Sequence, residues 1–333
     1  MERQFIPYFR DDRVEITIVV ETEFRPLAPR HDREVLVVRD PWYPEVPEAN
    51  VRRQREFQPP LFDRLYFLSN TEELDHWRRR FGFNSHYVNL GCFVDDDTFA
   101  PASAGTPKPY DAVITARFAR HVVRDRLYRK LQRAWHTRDI RDRVKTLASM
   151  PFALGKHGEL KRHWLSARIE RLALLDPVYG TDALDLKRAY TSRPNCAWSN
   201  DERLEPAGVA EIVTRAHCGL ALSELEGMCR ASSEYLLCGV PVVSTRSHGG
   251  RDVWYDEYNA IVVEADVDAV YDAACALKRQ PRDPWRIRSD YLARARAFRD
   301  RFRRDVLDPI LSRFGVERDA ADIMRSHPFR WWL

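Results

Sequence analysis

Short apolar runs alternate with polar, periodic stretches along the chain, and their order predicts strands and helices in turn. Val14–Glu23 (VEITIVVETE), Glu34–Val38 (EVLVV) and Leu65–Leu68 (LYFL) read as strands, with a Pro- and Trp-rich turn, PWYPEVPE, after the second. The segment SNTEELDHWRRRFG opens with cap-forming residues, carries Glu72 and Glu73 in its first turn and stops at Gly82. Those are the start and stop signals of a helix. His86–Leu90 (HYVNL) reads as a further strand. The stretch around 101–109, rich in Pro, Ala, Ser and Gly, predicts a linker between domains.

Beyond the linker the same alternation continues. DAVITARF reads as a strand, VVRDRLYRKLQRAW as a basic helix, KTLASMPFAL as a strand and ELKRHWLSARIERLALL as a helix. NCAWS, PAGVAEIVTRA, CGLALSE, MCRASSEYLLCG and VPVVST then follow as strand, helix, strand, helix, strand. Such βαβ succession demands a parallel sheet with its ligand at the carboxyl ends of the strands. Residues from about Pro284 to Phe314 read as helical and strongly basic. The predicted organisation is a small α/β domain over 1–100, a linker over 101–109, a larger α/β domain over 110–283 and a helical tail over 284–333.

Composition narrows the function classes. The chain has 333 residues, 44% hydrophobic and 31% charged, and no apolar run approaches a membrane span. A formal net charge of +4 is too balanced for a dedicated nucleic-acid binder. Lysine supplies only seven of the 54 cations. Arginine suits bidentate phosphate recognition, although a GC-rich genome gives the same bias, and most of these side chains read as plain surface. The six cysteines show no CxxC pair and no metal-ligand spacing, which predicts buried thiols, a reducing cytoplasm and neither disulfides nor a bound metal.

Chemistry concentrates in Cys218–Gly250. An apolar strand, CGLALS, runs into a turn at Glu224, Glu226 and Gly227, and a helix follows. Gly227 clears space for close backbone approach, and the free N–H groups of the helix's first turn suit an anion such as a diphosphate. Glu234 lies eight residues after Glu226; read as one helix, this separates the two carboxylates by roughly 10 Å. That matches the span from the ribose to the sugar of a nucleotide-diphosphate sugar. Gly239 caps the helix, Pro241 prevents its continuation, and VPVVST returns to a second glycine turn, SHGG.

These residues resemble the GT-B-fold retaining glycosyltransferases of family 4, whose donor-site signature is a Glu, seven residues and a second Glu. Here the pattern stands as Ser223, Glu226, Gly227, Glu234, Gly239, Pro241, Val242, Val243, Gly249 and Gly250. Upstream, NLGCFVDDDTFAP is similar to the family's interdomain segment, and DAVITARF to its strand ending in Gly-Arg. The resemblance implies a GT-B-like α/β fold: two Rossmann-like domains, the N-terminal one shortened, with C-terminal helices packing back. It implies that Glu226 sits beside the donor sugar, that Glu234 binds the nucleotide ribose and that Arg117 contacts the diphosphate. The family's usual lysine is replaced by Val122, and the nearby Arg124 is the expected substitute. Lys156, Gly227, Met228, His248, Gly249 and Gly250 complete the predicted donor contacts.

The implied activity is transfer of a sugar from a nucleotide-diphosphate donor to a hydroxyl acceptor, glycan or lipid-linked, with retention and without metal or other cofactor. The alternative is a nucleotide-sugar-binding subunit whose acceptor site comes from another chain, since the N-terminal half is short for the family. Bland readings stand beside several residues: Glu224 as a solvated neighbour, His248 as a loop histidine, and Arg124 as part of a solvated helix face. His31 with Asp32 has the makeup of an acid/base pair, although adjacent residues often point apart. The basic and aromatic stretches RRQREFQPPLF and FRWWL suit either plain surface or peripheral contact at the inner face of an anionic membrane.

Overall fold

A computed structural model of the chain describes residues 4–20, 26–39, 44, 46–58, 64–116, 161–176 and 184–327. Two sheets organise it. The first runs in the order β1 (Gln4–Arg10), β2 (Glu15–Val20), β3 (Glu34–Arg39), β4 (Leu65–Ser69), β5 (Ser85–Tyr87). β1 is antiparallel to β2, and the other neighbours are parallel. Helix α1 (Pro47–Phe57) joins β3 to β4, and α2 (Glu72–Arg80) joins β4 to β5. Thr71 caps α2 by accepting from Leu74 N, and Gly82 ends the turn beyond it at φ 80°. Both features follow the sequence signals.

The strictly sequential order of parallel strands explains the rest of this half. Crossovers of one hand place consecutive helices on the same face of such a sheet, and α1 and α2 do pack together. Strand periodicity of two then divides the side chains. Val19, Leu36, Val38, Leu65 and Phe67 form one core with Val51 and Leu74 of those helices. Ile16, Ile18, Val35, Val37, Tyr66 and Leu68 point to the other face, which no helix among the described residues of this half covers.

The second sheet contains β6 (Tyr110–Thr115), β7 (Leu172–Leu175), β8 (Cys196–Ser199), β9 (Ala216–Ala221), β11 (Val242–Thr245) and β13 (Ala260–Val263). Its order is β13-β11-β9-β6-β7-β8, parallel throughout. That is the Rossmann order, with its reversal between β6 and β9. Helices α3 (Leu184–Thr191), α4 (Pro206–Thr214) and α5 (Arg230–Leu237) connect these strands, and α6 (Val267–Arg279) follows β13. β10 (Leu225–Glu226) and β12 (His248–Gly249) form a small parallel pair of their own.

The C-terminal helices α7 (Pro284–Phe302), α8 (Asp308–Arg313) and α9 (Ala320–Ser326) return over the first sheet. Phe302, Val306, Leu307 and Ile310 share a core with Ile16, Ile18 and Leu68, so they cover the face left bare by α1 and α2. A π-helical turn at Arg303–Leu307 joins α7 to α8. Pro309, which has no N–H to give, lies just after it. Two α/β sheets, the second parallel throughout and the first parallel except for β1, with the C-terminal helices packed back, are the GT-B-like plan expected from the motifs.

Several elements differ from expectation. β1 carries no alternation, because Pro7 interrupts it where the ladder with β2 shifts register between Pro7 and Phe9. Pro47, assigned to a turn by the sequence, opens α1 and lies in its first turn, where a missing N–H does no harm. The helix expected over 159–175 is instead a 3₁₀ turn at His163–Ser166 followed by β7. The run LALL is buried on both faces, and a short apolar run of that kind does not distinguish strand from helix. β5 stops at Tyr87, because Asn89 caps a 3₁₀ turn over Leu90–Phe93. No helix among the described residues is long and apolar enough to cross a membrane.

Candidate functional site

The strand order places the site. At the reversal between β6 and β9 the crossovers leave in opposite directions, and open α/β sheets take their ligands beyond the carboxyl ends of the strands at such a point. β9 ends at Ala221 and leads into Ser223–Gly227, and β11 ends at Thr245 and leads into Ser247–Gly250. The two loops are zipped in parallel: Leu225 pairs with His248 and Glu226 with Gly249. His248 N donates to Glu224 O at 2.9 Å, and Gly250 N to Gly227 O at 2.8 Å. Residues some twenty apart in sequence thus become one surface.

Arg251 locks that arrangement from beneath. Its side chain has 0% exposure. It donates through Nη1 to Ser223 O at 3.2 Å, through Nη2 to Thr245 O, and through Nε to Asp252 at 3.2 Å. An arginine without exposure needs partners for its donors, and here each nitrogen has one: the Ser223 and Thr245 carbonyls that end the two loops' approaches, and the Asp252 carboxylate. Sequence reasoning missed this residue, although a lone cation directly after the paired glycines was its one signal.

Glu226 projects from β10 with 11% side-chain exposure and pairs with Lys161. Burial pushes its carboxyl up, but the Lys161 ammonium, the Ser223 hydroxyl and the Arg251 charge outweigh that and hold it below the usual glutamate range. It is therefore an anion at neutral pH. Lys161 has no motif around it and was not predicted; only the fold brings it to Glu226. The next residue, Arg162, places its Nη2 3.4 Å from Glu224 Oε2.

Glu234 sits in α5 with 6% side-chain exposure, its Oε1 accepting from Arg230 Nε at 2.6 Å. Burial pushes this carboxyl above its usual range despite Arg230. The two glutamates are thus held oppositely, one ionised against a lysine and one disfavoured as an anion. The helical spacing between them is corrected by the structure: residues 226–229 are not helical, because α5 begins only at Arg230. The helix estimate of their separation does not apply.

Cys229 precedes α5 at φ 51°, and no side chain caps the helix. Its thiol is pushed up to about 11 by burial and by the Glu226 charge, so it is not a thiolate nucleophile. Met228 is partly buried against the core, Gly227 is buried, and His248 is exposed. Gly249 has φ 121°, a backbone region that favours glycine. Gly250 is enclosed by protein: a Cβ there would meet Asn70 O at 2.4 Å, Asn89 Nδ2 at 2.5 Å and Gly227 O at 2.6 Å. Arg117, Arg124 and Lys156 lie outside the described residues.

The loops rest on the first sheet. Asn89, with 0% exposure, uses its whole amide: Nδ2 donates to Gly250 O at 2.7 Å and Asn70 O at 3.0 Å. Its Oδ1 accepts from Gly91 N at 3.0 Å and Trp254 Nε1 at 3.2 Å. Leu225, between the two acidic residues of its loop, packs against the core of the first sheet. Arg294 and Arg299 of α7 fasten the same seam through Trp254 O at 2.6 Å, Cys92 O at 2.6 Å and Asp96 at 2.9 Å. These arginines are structural clamps and not the plain surface expected of them. His31 and Asp32 also part company, His31 facing Glu15 at 3.3 Å and Asp32 facing Arg64 at 3.4 Å, so they form no acid/base pair.

No family model matches the chain, and no curated protein matches it. Among solved structures it is similar to Anabaena HepE in complex with UDP, at 13% identity over 88% of this chain and 71% of that one, with a TM-score of 0.49. It is also similar to sucrose-phosphate synthase from Thermosynechococcus elongatus, at 13% identity over 84% and 66%, with a TM-score of 0.49. TarM, an S. aureus protein, matches at 10% identity over 89% and 50%, with a TM-score of 0.44. The chain spans between half and about seven-tenths of the length of these proteins. The strand order above, and not these likenesses, defines the fold.

Proposed function

We propose that the chain is a glycosyltransferase that moves a sugar from a nucleotide-diphosphate donor to a hydroxyl acceptor, glycan or lipid-linked. The observation that carries this reading is the position of the Glu226 loop: it leaves β9 at the Rossmann reversal, zipped to the second glycine loop, with an ionised carboxylate beside a lysine. A crevice at that point, with cations and backbone donors around it, suits an anionic nucleotide.

In the proposed complex the diphosphate lies at the crevice between the ends of β6 and β9. Lys161 serves the leaving diphosphate and stabilises the negative charge that grows on it as the glycosidic bond breaks, a role the likeness to family 4 also gives to Arg117. Preorganised cations in a crevice that water leaves are worth more than the same charges in solvent. Glu226 addresses the sugar, where a fixed anion favours the positive character developing at the anomeric carbon. Glu234 accepts from ribose hydroxyls once Arg230 is drawn aside. Retention of configuration and independence from metal are part of the proposal; the first rests on the likeness to family 4, the second on the place of Asp95, Asp96 and Asp97 in the interdomain segment and not at this sheet edge.

Two substitutions test the roles. Glu226→Ala abolishes transfer while the nucleoside diphosphate still binds, whereas Glu234→Ala chiefly raises the donor KM. Wild-type turnover in both variants would contradict the assignment. Saturable donor binding with neither transfer nor slow donor hydrolysis would favour a binding subunit instead.

A further inference from the structure

Glu224 and Glu226 flank Leu225, and Leu225 is turned into the core of the first sheet. Side chains two apart in an extended segment share a face. The two carboxylates meet two adjacent cations: Lys161 reaches Glu226, and Arg162 reaches Glu224 at 3.4 Å. Neighbouring residues normally diverge, and Arg162 departs from ordinary backbone conformation with φ 49° and ψ 40°. Among the described residues only Arg162 and Cys229 are non-glycine residues with positive φ; Arg162 belongs to this contact and Cys229 lies three residues after Glu226. Strain gathered at one place in a fold marks a segment held there by its contacts.

The charges are unequal in depth. The Glu226 side chain has 11% exposure and Lys161 26%, whereas Glu224 has 34% and Arg162 16%. Each pair joins a cation of the 161–162 turn to an anion of the loop that follows β9. A diphosphate entering there competes with both carboxylates for the same two cations.

We infer that these pairs form an exchange latch: without ligand they hold the 161–162 turn onto the loop after β9, and an incoming diphosphate takes both cations from their carboxylates. Lys161 and Arg162 move onto the leaving group, and Glu226 is released toward the sugar. Glu224 touches no donor atom in this scheme. It is a positioning residue whose carboxylate keeps Arg162 in place until the diphosphate replaces it. The inference rests on the donor-site reading given above.

The latch predicts an unusual sign. Removing a carboxylate next to an anion site frees a cation, so Glu224→Gln and Glu226→Gln tighten anion binding. A carboxylate with a purely structural role would leave affinity unchanged or lower it. The probe is inorganic pyrophosphate, titrated calorimetrically into the full chain at fixed ionic strength, with thermal melts confirming that each variant is folded. Glu224→Gln should bind about two- to fivefold more tightly, as expected for loss of a competing pair whose carboxylate is about a third exposed. Glu226→Gln should bind about tenfold more tightly, because its pair is more deeply buried. Arg162→Gln should weaken binding, and the Arg162→Gln, Glu224→Gln double variant should show no gain over Arg162→Gln alone. If wild type binds pyrophosphate and neither glutamine variant binds more tightly, the latch is wrong and the donor-site reading stands. If neither wild type nor any variant binds pyrophosphate or nucleoside diphosphates, the donor-site reading itself falls, and the latch with it.

Discussion

Asn89→Ala tests how the site is held together. The Asn89 amide makes four hydrogen bonds inside the protein, to Gly250 O, Asn70 O, Gly91 N and Trp254 Nε1, and two of these cross between the sheets. Alanine leaves all four partners without it in a place where the side chain had 0% exposure. At about 1 kcal/mol net for each bond, less what local relaxation recovers, the loss is on the order of 3 kcal/mol. For a chain of this length that corresponds to a fall in Tm of about 5 °C. The damage is directional, because Gly250 O belongs to the second glycine loop and Trp254 to the segment just after it. Limited proteolysis should therefore cut the variant around 100–109 faster than wild type, and donor affinity should fall with it. Asn89→Asp is the sharper control, since a carboxylate would face two carbonyl oxygens, and it should be worse than alanine. A Tm within 1 °C of wild type for both variants would refute the claim that this amide joins the halves.

Three further substitutions probe other parts of the account. Gly219→Ala places a Cβ 2.1 Å from Cδ2 of the fully buried Tyr235, and such overpacking costs about 2 kcal/mol, seen as a lower Tm and a smaller soluble yield. Burial raises the Glu234 carboxyl, so its contribution to stability is greatest below the usual glutamate range, about pH 4, and is lost as pH rises through the folded-state value. Glu234→Gln should then raise Tm at pH 8 but not at pH 4 while weakening donor binding; a lower Tm at pH 8 would contradict this. Asp256 behaves oppositely: burial raises its carboxyl, but the Asn259 amide and Arg294 outweigh that and hold it low, so its stabilisation is present above about pH 4 and lost on acidification. Asp256→Asn should lower Tm at pH 7 and flatten the acid limb of the stability curve.

Much of this organisation was legible because local signals agree with the fold. The Thr71 cap and Gly82 mark α2, and Gly239 with φ 68° and Pro241 separate α5 from β11. Where local and global signals diverged, the sequence misled. LALL is apolar throughout because β7 is covered on both faces, and that erases the alternation that separates strand from helix. The Glu226 to Glu234 segment has helical spacing, yet the β10–β12 pairing holds its first residues extended. Lys161 and Arg251 could not be assigned from their neighbours, since each acquires its task only when distant loops converge. The arginines of α7 look like surplus surface charge in sequence, and only the bare face of the first sheet explains why that helix returns and where Arg294 and Arg299 bind.

The central claim is that the crevice at the β6–β9 reversal turns over a nucleotide-diphosphate sugar. Its most direct measurement is release of nucleoside diphosphate from a panel of UDP-, GDP- and ADP-sugars by the purified chain, alongside Glu226→Ala. The account predicts that one donor class is consumed, slowly in water and faster with an acceptor extract, and that Glu226→Ala abolishes release while still binding the nucleoside diphosphate. It is contradicted if no donor is consumed and none raises the Tm of the wild-type protein, or if Glu226→Ala consumes donor at the wild-type rate.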